Sequence, residues 1–199
     1  MSKAKKYYIF HKPYGVFCAF TNEHGKKDLS RVIDVPRDVY PVGRLDENSE
    51  GLLLLTNDKA VNHQLLNPQF QHKRSYLVQL EGQIDKTALK QLEKGVVISI
   101  SGKPYTTLPC KITKTNVKKL PPCKQRIDFE KSKGTSAVKL TLHEGKNRQV
   151  RKMCAAVGFP VVRLIRTKIE QLHLADLPAG DSKKLSRPVF YRSLNLTTV

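Results

Sequence analysis

Four consecutive leucines, Leu52 to Leu55, sit between Gly51 and Thr56. The run is too apolar for a half-exposed strand and predicts a central β-strand over residues 51–56. Residues 75–80 and 137–143 alternate apolar with polar positions and predict strands with one covered face. Residues 7–10, 96–100 and 161–169 are rich in aromatic and β-branched side chains and predict three more. Two further pieces, 16–21 and 107–112, are expected to be extended. Helical signals are fewer. Asn57 or Asp58 can cap a helix over 59–66 that Asn67-Pro68 ends. Asp85 can cap another, with Ala88, Leu89 and Leu92 on its apolar side and Gly95 as its stop. A third is expected from Asn147 through Val157, followed by Gly158 and Pro160. Between residues 101 and 136 the pattern loosens around Pro104, Pro109, Pro121 and Pro122, and residues 117–124 read as a solvated loop. The last residues read as weakly ordered. Strands and helices together predict an α+β fold with one large, mixed and largely antiparallel sheet flanked by helices.

At 199 residues the chain has room for one domain with a sizeable core, expected over residues 7–199, with residues 1–6 as a basic flexible arm. That domain could also be two subdomains sharing one sheet. Thirty-six Lys and Arg oppose 17 Asp and Glu, a net charge of +19. Such an excess points to a polyanionic partner, because phosphate contacts release counterions and drive association. A merely soluble, lysine-rich surface is the plainer reading of the same number. Four scattered cysteines without a Cys-x-x-Cys pair fit a reduced, cytoplasmic protein better than a disulfide or zinc scaffold. No apolar run approaches the ~20 residues of a membrane span.

Chemistry can be sought in two places. Gly43-Arg44-Leu45-Asp46 sets a cation beside a carboxylate just before the leucine strand. Taken alone, an aspartate there is most simply a turn-former or cap. If the start of the helix after Lys146 meets this strand edge, an arginine beside Asp46 would keep the carboxylate ionised by Coulomb attraction. An ionised, oriented carboxylate can act as nucleophile or base at a sugar carbon. The second place is the helix after Lys146. Arg148, Arg151 and Lys152 have i, i+3, i+4 spacing, and Arg163, Arg166 and Lys168 follow on the next strand. A phosphate track and a solvated charged face are equally good readings of that pattern.

Four segments in order carry a resemblance. Gly43-Arg44-Leu45-Asp46 with Ser49-Glu50-Gly51-Leu52-Leu53-Leu54-Leu55-Thr56-Asn57 is similar to the catalytic motif of the RsuA-type ribosomal RNA pseudouridine synthases. His11-Lys12-Pro13-Tyr14-Gly15, Lys73-Arg74-Ser75-Tyr76 and Glu144-Gly145-Lys146-Asn147-Arg148-Gln149-Val150-Arg151-Lys152-Met153 fit the same family. The resemblance runs from about residue 7 to residue 180 and is greatest to the large-subunit type E branch, which lacks the S4 RNA-binding domain. Ala137 departs from that branch, standing where a tryptophan is expected.

The resemblance implies the pseudouridine synthase core with a central RNA-binding cleft, and isomerisation of a uridine to pseudouridine in ribosomal RNA, expected to be 23S. It implies a monomer with no cofactor. Asp46 would be the essential carboxylate, attacking the sugar or removing a sugar proton; both routes stay open. Tyr76 would stack on the uracil and help remove the C5 proton. Arg151 would pair with the carboxylate and Leu164 would wall the uracil pocket. Arg44 would fill the space left by the flipped base. Lys12, Lys146, Arg148 and Lys152 would hold phosphates. Two other functions suit the same residues: a non-catalytic ribosomal RNA binder or assembly factor, and a hydrolase releasing free uracil.

Overall fold

The computed structural model describes residues 4–21, 25–122 and 134–197. The chain forms two compact units, one of residues 1–72 with 166–199 and the other of residues 73–165.

The first unit is organised on the leucine run. Strand β1 (Tyr7–Lys12), β2 (Tyr40–Val42) and β3 (Glu50–Thr56) are antiparallel, with β3 paired to both others. Every residue of β3 is buried, as its unbroken apolar sequence requires. One side of this layer covers Phe10, Val16, Leu29, Val39, Leu45, Leu53 and Leu55. Helix α1 (Lys59–Leu66) follows, and of its two candidate caps Asp58 is the one used, accepting from the Ala60 amide. Asn67 ends it ahead of Pro68.

The second unit begins with β4 (Arg74–Glu81) and α2 (Lys86–Lys94). Asp85 caps α2 through the Ala88 amide at 2.8 Å, and Gly95 closes it at φ +95°. A hairpin of β5 (Val97–Ile100) and β6 (Lys103–Thr106) leads to β7 (Lys111–Thr115) and β8 (Thr135–Leu142). Antiparallel pairing puts β8 between β4 and β7. The core of this unit joins Val78, Leu80, Val138 and Leu140 of the sheet to Leu92 of α2 and to Val150 and Met153 of α3 (Gln149–Ala156).

Strand β9 (Val161–Ile169) begins in the second unit and, from Arg166, belongs to the first. There β10 (Leu172–His173) pairs with its end, β11 (Ser182–Leu185) pairs with β1, and α4 (Arg187–Ser193) closes the chain. Among the described residues no helix is long and apolar enough to cross a membrane.

Several expectations need correction. Residues 16–21 form no strand; Phe17 makes only an isolated bridge to Asp28, because the segment bends to bury Val16 and Cys18 in the leucine layer. Of the piece expected to be extended at 107–112, residues 111 and 112 belong to β7 and residues 107–110 link it to β6. The carboxyl-terminal stretch is ordered, with Phe190 and Tyr191 buried and the Tyr191 hydroxyl donating to Asp58 at 2.6 Å. The basic arm is tied down at its end, where Lys6 binds Asp38 at 3.0 Å and its amide donates to Asn57. Of the loop expected over 117–124, residues 117–119 form a short 3-10 turn and residues 123 and 124 lie outside the described residues.

Candidate active site

Asp46 stands at the first position of a tight turn closed by the Ser49 amide donating to the Asp46 carbonyl at 3.0 Å. Alternation decides what faces out here. Leu45 turns inward into the leucine layer and is 7% exposed, which leaves Arg44 exposed and Asp46 half-buried beside it. Two glycines allow the approach. Gly43, at φ +68°, passes so near Leu66 that a Cβ would sit 3.0 Å from its methyl group. Gly51, at φ +106°, runs against Arg166, where a Cβ would meet the backbone oxygen at 2.2 Å.

The turn is fastened from behind through its second residue. The Glu47 carbonyl accepts from the Gly15 amide at 2.8 Å and from the Lys12 ammonium at 3.3 Å. That ammonium also donates to the carbonyls of Val16 at 2.7 Å and Pro13 at 2.9 Å. Lys12 is therefore no phosphate contact: it is fully buried, and three carbonyls take its donors. Burial pushes its pKa down to about 8, against the pull of Cys18, Glu50, Glu47 and Asp46. Its role is to hold the Pro13 to Val16 turn onto the Asp46 turn. A lysine in a +19 chain reads as surface charge, and only the neighbouring Pro-x-Gly turn hinted otherwise.

In the second unit Tyr76 lies on β4, opposite Leu140 of β8. It is half-buried and packs on the core cluster that includes Leu164, itself 6% exposed. Arg151 donates to the Val161 carbonyl at 3.1 Å, which ties α3 to the start of β9. The helix starts later than expected. Arg148 takes a left-handed φ of +51° without a side-chain cap, so regular structure begins at Gln149. Lys146 and Arg148 are exposed and Lys152 is half-buried. The Lys146 ammonium rests 4.9 Å from the centre of the Tyr105 ring, a contact that leaves its hydrogens available to an anion.

Glu144 holds this corner, a role that its place in the motif did not reveal. It is 8% exposed and accepts from the Tyr105 hydroxyl at 2.6 Å, the Leu108 amide at 2.9 Å and the Gln149 side chain. Gln149 in turn accepts from the Lys146 amide at 3.0 Å. An acid directly before Gly145-Lys146-Asn147 in a basic stretch was the available signal. The phosphate track expected on β9 is not there. Arg163 and Arg166 are 4% and 5% exposed, and they donate to the Pro121 and Leu52 carbonyls respectively.

Chemically, the first unit supplies a braced, half-buried carboxylate with an exposed guanidinium two residues away. The second supplies a half-buried phenol over an apolar floor and a cationic helix start. The profile of a family described as RNA pseudouridylate synthase matches residues 6–156. A Vibrio parahaemolyticus protein named ribosomal large subunit pseudouridine synthase E is 37% identical over 181 residues, covering 91% of this chain and 74% of that relative. Bacillus subtilis ribosomal large subunit pseudouridine synthase B is 35% identical over 181 residues, covering 90% and 68%. A crystal structure of a pseudouridylate synthase superposes with a TM-score of 0.75 at 26% identity, over 96% of this chain and 75% of that one. With its fold, its ordered motifs and a profile spanning most of its length in agreement, the chain belongs to the RNA pseudouridylate synthase family.

Proposed function

We propose that this protein converts a uridine of large-subunit ribosomal RNA to pseudouridine, with Asp46 as the essential carboxylate. The observation that carries the reading is the turn at Asp46, which is fixed by Lys12, Gly15 and Gly51 more firmly than a surface turn requires. The names of the Vibrio and Bacillus relatives support the choice of ribosomal RNA. In the reaction the N1 glycosidic bond breaks, the uracil turns and C5 bonds to the same sugar carbon. Atoms are conserved, so the RNA keeps its mass. Asp46 attacks that carbon or removes the neighbouring sugar proton, with Tyr76 and Arg151 as the other groups acting on the nucleotide. Arg44 takes the space of the extruded base and offsets the few kcal/mol of unstacking. Lys146, Arg148 and Lys152 bind phosphates.

The test is incubation with ribosomal RNA from a strain lacking the protein, followed by carbodiimide-blocked primer extension. A new stop with wild type, none with Asp46→Asn, and equal RNA binding by both are expected. Binding by wild type without any new stop would leave a non-catalytic RNA binder, and free uracil in the supernatant would mean a hydrolase.

A further inference from the structure

A pocket of about 550 Å³ opens in the first unit, within the ~300–1,000 Å³ usual for ligand sites. It shares Gly43 and Arg44 with the segment leading to Asp46. Its lining brings together two exposed guanidinium groups, Arg37 and Arg44, and two half-buried aromatic rings, Phe20 and Tyr40. Leu66 of α1, 48% exposed, supplies an apolar side. No carboxylate is among the lining residues, although Asp and Glu make up 17 of the chain's 199 residues. Two lining residues, Tyr40 and Asn62, also hold a buried hydroxyl and a buried amide oxygen for which no described residue supplies a hydrogen-bond partner.

We propose that this pocket seats a second, unstacked nucleotide of the RNA substrate, flanking the uridine at Asp46. The inference rests on the reading that the protein acts on RNA. Apolar and aromatic walls suit a nucleobase, which stacks irrespective of its sequence. The Arg37 guanidinium suits a phosphate beside it. Spacing limits which nucleotide it is. Two residues of chain span at most ~7 Å, about one backbone step of extended RNA, so the occupant is an immediate neighbour of the target. The pocket thereby makes Arg44 the divider between two extruded bases, with the reacting one on the Asp46 side. Substrate RNA would then be recognised by a site that must splay two adjacent nucleotides, which selects loops and bulges over continuous duplex.

The test uses the full-length protein and deproteinised large-subunit ribosomal RNA, with binding measured between ~50 and ~200 mM salt. Arg37→Gln is expected to lower the slope of log affinity against log salt by about 0.7, the single-strand value for one phosphate. Leu66→Glu, at a position already exposed, is expected to weaken binding about ten-fold by opposing base and phosphate together. Lys90→Gln, an exposed lysine of α2 in the other unit, is the matched control and is expected to keep the wild-type slope. Arg37→Gln and Leu66→Glu binding like Lys90→Gln would overturn the proposal. Pseudouridine is assayed in the same samples. A lost slope without any pseudouridine would sink the enzymatic reading and leave the pocket standing; pseudouridine with an unchanged slope would do the reverse.

Discussion

Replacing Lys12 by methionine tests whether its buried ammonium is held at an energetic cost. The residue is fully buried, and its pKa falls from 10.5 to about 8. A shift of that size corresponds to about 3 kcal/mol, at 1.36 kcal/mol per unit. The folded state therefore binds fewer protons at this site than the unfolded chain between pH 8 and 10.5. Stability from Lys12 rises with pH across that window, is complete above it, and is lost as pH falls through 8. Lys12→Met removes the cost but strips the Pro13 and Val16 carbonyls of a partner, at ~1–3 kcal/mol each. The Glu47 carbonyl keeps the Gly15 amide. At pH 7 the two effects nearly cancel, and wild type gains about 3 kcal/mol over the variant by pH 10.5. Urea unfolding of both proteins at half-unit steps from pH 7 to 10.5 reads this directly, because effects of the remaining lysines are common to the pair. Parallel stability curves for the two would refute the reasoning.

Other perturbations follow from the same structure. Gly51→Ala forces a Cβ into the Arg166 backbone at a φ that disfavours side chains, and is expected to cost more than about 4 kcal/mol in thermal unfolding; a melting temperature within a few degrees of wild type would contradict it. Asp58 accepts from Tyr7 at 2.7 Å and Tyr191 at 2.6 Å. Burial pushes the Asp58 pKa up, but those two hydroxyls outweigh it, so the folded value lies below 3.8. Its stabilisation is present above pH 3.8 and is lost as pH falls through the lower folded value, so Asp58→Asn should flatten the acid limb of the stability profile. Tyr105 is raised above 10 chiefly by its hydrogen bond to Glu144. Glu144→Gln should bring it down in an ultraviolet titration and should also weaken RNA binding, by loosening Lys146 and Arg148; an unmoved phenol would break that link.

What could be read in the sequence was whatever depends on local pattern. The leucine strand, α1 with its Asp58 cap, and α2 between Asp85 and Gly95 all follow from nearest-neighbour chemistry, and the structure has them where expected. What depends on distant neighbours was not legible. Arg163 and Arg166 are charged residues whose burial is decided by carbonyls far along the chain. Lys12 is buried where its own turn meets the distant Glu47 carbonyl, so counting charge placed all three on the surface. The start of α3 was misplaced because Arg148 adopts a conformation usually left to glycine. At the candidate site, the motifs singled out Asp46, Tyr76 and Arg151 as candidates. Arg37 emerges only from packing, whereas Glu144 and Lys12 each left a faint local signal in the residues beside them. The carboxyl-terminal helix was missed because α4 is short and its buried residues, Phe190 and Tyr191, find their partners in β1 and at Asp58.

The first unit is discontinuous, and this sets the order in which the protein can be made. Its edge strand β1 is covered when Tyr7 pairs with Leu185, and Tyr7 is packed only when Phe190 arrives, 4.9 Å away between ring centres. The second unit is one continuous segment and can close while synthesis continues. The unit that holds Asp46 must wait for β11 and α4, which follow the whole of the second unit along the chain. A nascent chain therefore carries Asp46 in an unfinished scaffold until β11 and α4 have been made.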